Sequence, residues 1–364
     1  MQRRNAHPYL MYEAIRRQPE CIARMIERQR GRMEGAAAAA AERHRIVLLG
    51  IGSSYHAAQL GENFLRHFTH QSSALVEQSF EQVHYPRQFR EDHVAVCISH
   101  RGTRNHTVQA MKAAQAAGAL TIGVCGEPVS DEMATADFAI PTCEIEECFA
   151  HTKSYTAAAA ALALWTIGLA ERRGFLSRDD AQGAAAALER IPALMRQALG
   201  CEAQARDAAK KIAARQRWVF IGAGPNWATA REGALKVKET SYMSAEGFQT
   251  EQFIHGPLAE LDSRGALTAI LAGGPGDHRA AAAVRAAGEV GALRVVVAAQ
   301  GAQGDLDCDT LLEVPQAGEW LSPFLQVVPV QLLAYFVALE RSANPDTGRL
   351  HEPAHARAQE HLKL

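Results

Sequence analysis

The sequence lacks the features that mark nucleic-acid-binding, secreted and membrane proteins. Its 38 Lys and Arg against 40 Asp and Glu give a formal net charge of −2, too little basic excess for nucleic acid or an anionic membrane. The N-terminus, MQRRNAHPYL, is basic, but no apolar core or cleavage site of a signal peptide follows it. The longest apolar block, residues 157–170, is too short and too alanine-rich to span a bilayer. We therefore expect a cytoplasmic protein with small-molecule partners, no nucleic acid and no membrane.

A metal-binding or disulfide pattern is also lacking. The seven cysteines are scattered without a CxxC pair, and several lie in apolar runs, which is typical of reduced, buried thiols. Cys143, Cys148 and His151 are near one another in sequence, but no second ligand pair follows at a spacing that zinc sites use. We predict neither a metal nor a cofactor.

What the sequence does contain is a tandem repeat. IVLLGIGSSYHAAQLG, from Ile46, aligns with WVFIGAGPNWATAREG, from Trp218. Three glycines coincide in this alignment: Gly50, Gly52 and Gly61 match Gly222, Gly224 and Gly233. Further on, VAVCIS corresponds to ALTAIL, LTIGVCG to RVVVAAQG, and DFAIP to LLEVP. The chain is therefore two copies of one domain.

Each copy alternates short β-branched runs with longer helical segments, the pattern of parallel βαβ units whose strands are buried on both faces. With 364 residues and 48% hydrophobic composition, we predict an α/β protein of two tandem doubly wound, flavodoxin-like domains with helical N-terminal and connecting segments. The expected segments are an N-terminal helical region (1–44), the first domain (45–170), connecting helices (171–216), the second domain (217–341) and a tail that wraps over the surface (342–364).

The turn after the first predicted strand, GIGSSYHA, matches a dinucleotide fingerprint only in part, because SSY stands where a third glycine would follow. Gly52, Ser53 and Ser54 instead suggest a tight turn with hydroxyls at a helix N-terminus, suited to an anion or a sugar hydroxyl. Ser53 as a plain helix cap is the alternative.

The next strand ends in CISHRGTRNHT, where hydroxyls, a glycine and two arginines meet at a helix N-terminus. This combination predicts a phosphate-binding loop, and a capped helix with exposed arginines is the alternative. The candidate binding residues are Ser99, His100, Arg101, Gly102, Thr103, Arg104 and Thr107.

The richest segment in ionisable residues is 231–258, REGALKVKETSYMSAEGFQTEQFIHGPL, which follows the strand and glycine turn of the second copy. If a helix begins near Asn226, Glu232, Lys236 and Glu239 fall along one stripe. A solvated helix face is the alternative. Its position beyond the carboxyl end of a strand, where open α/β sheets bind ligands, and the nearby His255 favour function.

These motifs resemble the double sugar-isomerase (SIS) domain proteins, especially the isomerase half of glucosamine-6-phosphate synthases. That family reads CGTSY, SQSGETADT, ASTKAFT and EGALKLKEISYIHAE followed by KHGPLA. Here the sequence reads GIGSSY, SHRGTRNHT, AHTKSYT and EGALKVKETSYMSAE followed by IHGPLA. The last pair is highly specific.

The resemblance implies roles for individual residues. Glu239 is the expected base for proton transfer between C1 and C2 of an open-chain sugar phosphate, and Lys236 assists at the sugar oxygens. His255 is expected to assist ring opening in the neighbouring subunit of a homodimer. Glu232 is expected to support the helix and site, and Lys153 is a further candidate for substrate binding.

Three departures from the family pattern bear on the activity. The chain begins MQRR without the family's glutaminase domain, so any nitrogen is expected as free ammonia or from a separate source. The family's tail lysine, in LAKSVTVE, is absent from LHEPAHA, and Lys363 is the only lysine in the tail. Arg101 and Arg104 replace a serine and a threonine of the phosphate loop, which strengthens anion binding.

We therefore expect a phosphosugar aldose–ketose isomerase, with or without amination or deamination of an aminosugar phosphate. The competing hypothesis is a non-catalytic phosphosugar sensor. The joint presence of Glu239, Lys236 and His255 favours chemistry, since a sensor needs only the phosphate loop. The sequence does not fix the sugar or the involvement of nitrogen.

Overall fold

The structure is a computed structural model that describes residues 4–70, 74–103, 105–302 and 304–362. The chain forms two compact units. One comprises the described parts of Met1–Arg16, Glu147–Thr152 and Ala193–Leu364, and the other comprises Arg17–Glu146 and Lys153–Pro192.

Each copy of the repeat forms one parallel sheet. The strands of the first copy are β1 (Arg45–Gly50), β2 (Ala74–Gln78), β3 (His93–Ser99), β4 (Leu120–Glu127) and β5 (Phe138–Glu144). Those of the second copy are β6 (Arg217–Gly222), β7 (Ser244–Gln249), β8 (Gly265–Leu271), β9 (Leu293–Ala299) and β10 (Thr310–Val314).

The helices that precede and accompany the first sheet are α1 (Leu10–Ala40), α2 (Ser53–Thr69), α3 (Ser79–His84), α4 (His106–Ala116), α5 (Lys153–Arg172) and α6 (Arg178–Ala198). Those of the second half are α7 (Glu202–Ala213), α8 (Asn226–Thr240), α9 (Thr250–Ile254), α10 (Asp277–Glu289), α11 (Ser322–Glu340) and α12 (Pro353–Leu362).

The strand order is the same in both sheets: β2-β1-β3-β4-β5 and β7-β6-β8-β9-β10. This is the flavodoxin-like doubly wound order. The second strand of each copy lies on one side of the first, and the later strands are added on the other side, so the strand order reverses beside the first strand. Ligands of such sheets bind outside the carboxyl ends of the strands at that point. The predicted fold class is therefore confirmed.

The interior strands are buried, as their β-branched and aliphatic runs predict. Every residue of β3 and of β8 is buried, and α5 is buried along most of its length despite its alanine-rich sequence. The edge strands β2 and β7 were not predicted. Their sequences, ALVEQ and SAEGFQ, are short and about half polar. Such sequences suit the edge of a sheet, where a strand has only one neighbouring strand.

The first and third strands of the two copies pair in the same register. Arg45, the first residue of β1, pairs with His93 of β3. At the same repeat position, Arg217, the first residue of β6, pairs with Gly265 of β8. The amino ends of the two sheets can therefore be compared position by position.

The N-terminal helix starts at Leu10 and runs through the alanine tract to Ala40. The predicted connecting helices are α6 and α7. The tail does not only cover the surface. Asp346 is buried, and its carboxylate accepts the backbone N–H groups of Leu10 and Met11, both at 2.9 Å. It thereby caps α1.

One segment of the described residues, Glu319–Glu340, is long and apolar enough to cross a membrane by length and composition. The apolar window of this segment is entirely buried in the structure. A helix in the core of a folded domain passes the same test.

Candidate active site

The turn after β1 places two serines at the start of α2. Gly50 ends the strand, and a Cβ at this position would lie 2.5 Å from the backbone of Ser54, so no side chain fits. Gly52 has a φ of 58°, in the left-handed region that glycine adopts readily. Ser53 and Ser54 follow as the first residues of α2. The two glycines therefore position hydroxyls at a helix N-terminus, where an anion or a sugar hydroxyl is favoured.

The Ser99 hydroxyl is arranged to donate a hydrogen bond. Ser99 ends β3, and its Oγ accepts the N–H of Gly102 at 3.3 Å and the Nδ2 amide of Asn105 at 3.0 Å. A hydroxyl has two lone pairs and one hydrogen, so these bonds use its acceptor positions and leave the hydrogen to donate. Asn105 also caps α4 by accepting the N–H of Val108 at 3.1 Å. A phosphate oxygen is a suitable acceptor for the Ser99 hydroxyl.

The loop that follows Ser99 is shaped by Gly102, whose φ is 60°. A Cβ on Gly102 would lie 2.4 Å from the side chain of Met133. The carbonyl oxygen of Gly102 accepts a hydrogen bond from the Ser130 hydroxyl at 2.5 Å. Arg101 and Thr103, on either side of the glycine, are exposed. Arg104 lies outside the described residues. The loop therefore presents one guanidinium and one hydroxyl to solvent around a fixed glycine.

Two further candidates of this loop are engaged in structural hydrogen bonds. The Nε2 of His100 accepts the backbone N–H of Glu146 at 2.9 Å. The Thr107 hydroxyl is buried and lies 2.8 Å from the hydroxyl of Ser79. These contacts connect the loop to its neighbouring elements and favour positioning roles. Direct substrate binding by His100 and Thr107 stays a prediction.

Lys153, the first residue of α5, is 5% exposed, and its Nζ lies 3.3 Å from Oε2 of Glu144. The Arg24 guanidinium lies 2.5 Å from the other oxygen of the same carboxylate. Burial alone raises the pKa of Glu144. Hydrogen bonds from its own backbone and from Arg24, with the charges of Lys153 and Arg24, outweigh that effect and lower this pKa to about 2. Lys153 is therefore held by an ionised carboxylate, and its contact with substrate stays a prediction.

In the second copy, α8 brings the three predicted ionisable residues together. Lys236 Nζ lies 3.4 Å from Oε1 of Glu232, one turn earlier, and 2.6 Å from Oε2 of Glu239, one turn later. The helix begins at Asn226, as the stripe requires. The side chains of Glu232 and Lys236 are fully buried, so the alternative of a solvated helix face is wrong.

Within this group only the Glu239 side chain reaches solvent, with an exposed fraction of 19%. Its Oε2 is buried beside Lys236, so the exposed surface belongs to the rest of the side chain. Lys236 has no exposed side-chain surface and contacts the Glu239 carboxylate from the buried side. The geometry therefore favours Glu239 as the group that meets substrate and Lys236 as the residue that positions it.

The turn after β6 has the same construction as the turn after β1. A Cβ at Gly222 would lie 2.2 Å from the carbonyl oxygen of Asn226, and Gly224 has a φ of 53°. The Asn226 side chain donates to the Ser322 hydroxyl at 2.8 Å and accepts the Thr229 hydroxyl at 3.0 Å. These buried bonds fix the first turn of α8 and hence the direction in which the stripe projects.

His255 follows α9 and is largely exposed, with 72% of its side chain accessible. Its Nε2 lies 3.2 Å from Oε1 of Glu251, so its hydrogen-bond partner lies on α9 and not on α8. Glu251 also accepts two hydrogen bonds from Arg279, at 2.8 and 2.9 Å, and these lower its pKa to about 2. The imidazole is therefore held at the surface by an ionised carboxylate.

The loop after β8 differs from its counterpart after β3. Asp277 holds the repeat position of Asn105, which caps its helix. The Asp277 side chain instead bonds the loop that precedes it. Its Oδ2 accepts the N–H of Gly273 at 2.7 Å, with Ala272 and Gly274 as further backbone donors. Burial raises the pKa of Asp277. Because these donors already hold a carboxyl group, they are not available to a phosphate.

Several residues of the site were missed in the sequence. Asn105 lies inside the predicted phosphate loop, and its place directly before a helix is the signal that could have identified it as a cap. Glu251 stands four residues before His255, and this helical spacing could have identified it. Glu144 and Arg279 are further in sequence from the residues that they hold, and no local pattern marks them.

Comparison with known proteins identifies the family. A family model described as the SIS domain matches residues 40–167 and 211–341, most of the chain and both copies of the repeat. The chain belongs to the SIS domain family. The resemblance inferred from the two loops and the α8 motif is thereby confirmed.

Among curated SIS relatives, the isomerizing glutamine–fructose-6-phosphate aminotransferase of Thermococcus kodakarensis is 30% identical over 350 residues, covering 96% of this chain and 58% of that protein. The same enzyme of Aquifex aeolicus is 30% identical over 314 residues, covering 84% of this chain and 50% of that protein. The chain thus spans 58% and 50% of the length of these two relatives.

Solved structures confirm the fold. The C-terminal domain of glucosamine-fructose-6-phosphate aminotransferase from Francisella tularensis superposes with a TM-score of 0.85 at 22% identity, covering 94% of this chain and 99% of that one. Tagatose-6-phosphate ketose/aldose isomerase from Escherichia coli gives a TM-score of 0.76 at 18% identity, covering 95% and 96%.

Proposed function

We propose that the chain interconverts the aldose and ketose forms of a phosphorylated hexose or hexosamine. The observation that carries the proposal is the α8 stripe, in which Oε2 of the partly exposed Glu239 side chain lies 2.6 Å from a fully buried ammonium. A buried Glu-Lys-Glu group is costly to maintain for stability alone, since well-packed apolar residues often serve as well. The names of the relatives, phosphosugar isomerases and aminotransferases, support this assignment.

Glu239 would act as the base. Its carboxylate removes the C2 proton of the open-chain aldose, the C2–H electron pair forms a C1–C2 double bond, and the carbonyl oxygen at C1 takes a proton from solvent to give the enediol. Return of the proton from Glu239 to C1, with loss of the C2 hydroxyl proton to solvent, gives the ketose. General bases of this kind contribute about 10²–10⁴-fold to the rate.

The phosphate of the substrate is assigned to the loop after β3. The donated hydrogen of Ser99, the exposed guanidinium of Arg101 and the N-terminus of α4 supply a charge-assisted binding site. The hydroxyls of Ser53 and Ser54 stand at the N-terminus of α2, after the neighbouring strand β1, and are assigned to the same ligand.

Removal of Ser99 Oγ or of the Arg101 guanidinium is expected to weaken phosphosugar binding. Fructose 6-phosphate should raise the melting temperature of the wild type, and much less that of Ser99→Ala or Arg101→Ala, because ligand stabilisation follows affinity. Thermal shift measures this directly, with Arg66→Ala, a surface change on α2, as the control. Equal shifts in the wild type, Ser99→Ala and Arg101→Ala would contradict the assignment.

We also propose that the enzyme is a homodimer in which His255 serves the site of the partner subunit. The exposed imidazole, held outward by Glu251, is consistent with that role. Mixing Glu239→Gln subunits with His255→Ala subunits should restore part of the activity, since heterodimers contain one site with both wild-type groups. An absence of rescue, despite subunit exchange shown by mass spectrometry, would rule out the shared site.

Nitrogen can enter or leave the same reaction as free ammonia or from a separate source. The experiment that tests the proposed function is a panel of hexose and hexosamine phosphates, assayed for aldose–ketose interconversion with and without ammonia. Turnover without ammonia identifies an isomerase, and turnover that requires or releases ammonia identifies amination or deamination. Binding of a phosphosugar without any turnover would contradict the enzyme and support the sensor.

A further inference from the structure

A polar cavity of about 560 Å³ lies at the amino ends of β1 and β3, the ends opposite to those that carry the candidate phosphate loop. Its volume is in the range of small-molecule sites. The cavity is lined by His44, Arg45, Arg87, Gln88, Arg90, Asp92 and His93. Three arginines and two histidines thus share the lining with a single carboxylate.

The positive charge of this lining is mostly not neutralised by the protein. Arg87 forms an ion pair with Glu77 at 2.7 Å. Within the described part of the chain, neither Arg45 nor Arg90 forms an ion pair. The Oδ1 of Asp92 is 3.7 Å from Nε2 of His93. Two guanidiniums at the cavity therefore remain for another anion.

The second copy of the repeat shows how the same position looks when it is neutralised. Arg217, the counterpart of Arg45, lies 2.8 Å from Glu260 and 3.5 Å from Asp262. By the spacing of the repeat, Glu260 and Asp262 correspond to Gln88 and Arg90 of the first copy. The first copy therefore replaces one acid by an amide and the other by a cation.

A second polar cavity, of about 610 Å³, gives a further comparison. It lies beside the start of β9, and its Arg294 is paired with Asp307 and Asp309, both at 3.1 Å. In that cavity the chain supplies the carboxylates itself. That cavity carries three carboxylates against four cations, whereas the cavity at β1 and β3 carries one carboxylate against three arginines.

We propose that the cavity at the amino ends of β1 and β3 binds a small polyanion that carries phosphate groups. The planar guanidiniums of Arg45 and Arg90 match phosphate oxygens in pairs of hydrogen bonds, and Gln88 adds a neutral donor and acceptor. This site is separate from the phosphate loop, because the two lie at opposite ends of the same strands.

His93 adds support to this assignment. It lines the cavity, is 6% exposed, and its Nδ1 has no hydrogen-bond partner among the described residues. Burial lowers the pKa of His93, the charges of Arg45, Arg90 and His44 lower it further, and Asp92 acts in the opposite direction. A bound polyanion would offset the positive neighbours and raise this pKa, so binding should be coupled to proton uptake by His93.

The test is calorimetric titration with pyrophosphate at low ionic strength. The double substitution Gln88→Glu with Arg90→Asp rebuilds the charge pattern of the second copy and should reduce affinity at least about tenfold. Arg217→Gln, at the paired counterpart, should retain it. Unchanged affinity in the double variant would overturn the proposal.

Spectroscopy on the unmodified protein gives a second measurement that does not depend on how the variants fold. With ¹³C-labelled histidine, pyrophosphate should shift the His93 resonance, identified by its absence in His93→Gln. A His93 resonance that does not move at saturating pyrophosphate would overturn the site. Citrate, tested in parallel, should shift it only at higher concentration, and a stronger response to citrate would overturn the preference for phosphate.

Discussion

Glu239→Gln should lower kcat for aldose–ketose interconversion by about 10²–10⁴-fold while leaving phosphosugar affinity largely intact. The amide keeps the size and hydrogen-bonding capacity of the side chain but cannot accept the C2 proton. Glu239 is the only member of the α8 stripe of three with exposed side-chain surface, so no other residue of the stripe can take over its contact with substrate. Steady-state kinetics and calorimetric binding, performed on the same preparation, separate the two effects.

Glu313→Gln is the matched control for this variant. Glu313 is an exposed glutamate of β10 without an ion pair in the described structure, so its substitution should leave kcat within the error of the assay. A Glu239→Gln enzyme with the kcat of the wild type would assign the base elsewhere. A loss of kcat in both variants would indicate a general effect of the substitution and not proton transfer.

The largest expected effect on stability is that of Lys236→Met. The substitution leaves the fully buried Glu232 carboxylate without its ammonium partner, a change that costs about 3–5 kcal/mol. At about 2–4 °C per kcal/mol, the melting temperature should fall by roughly 10 °C. Differential scanning calorimetry at neutral pH measures the shift.

Two further variants test the reason for that loss. Lys238→Met removes the exposed lysine two positions away on the same helix and should change stability by no more than about 0.5 kcal/mol. Adding Glu232→Gln to Lys236→Met removes the stranded charge and should recover much of the lost melting temperature. A double variant as unstable as Lys236→Met alone would show that packing, and not the unpaired carboxylate, causes the loss.

The sequence was informative where function depends on local pattern. The repeat predicted two sheets, because the glycines at Gly50 and Gly222 recur with the strands that precede them. Helical spacing predicted the stripe on α8, because residues three and four apart lie on one face whatever surrounds the helix. In both cases the signal lies within a short stretch of sequence and does not depend on tertiary contacts.

Features that depend on tertiary contacts were not predictable in the same way. The edge strands β2 and β7 have no long apolar run, and pairing with one neighbour is enough to form them. The partnership of Lys153 with Glu144 and the closure of the second loop by Asp277 depend on which side chain reaches which backbone group. Asn105 and Asp277 have similar shapes and the same repeat position, yet Asn105 accepts the N–H of Val108 in its own helix, whereas Asp277 accepts backbone N–H groups of the preceding loop.

Exchange of the C2 hydrogen of the sugar phosphate with deuterated water is the most direct test of the central claim, that Glu239 moves a proton between C1 and C2. NMR of the recovered sugar should show deuterium at C2 with the wild type and none with Glu239→Gln under conditions where both bind the substrate. Exchange at the wild-type rate in Glu239→Gln would contradict the role of Glu239, and no exchange in either protein, with binding intact, would contradict the enzyme itself.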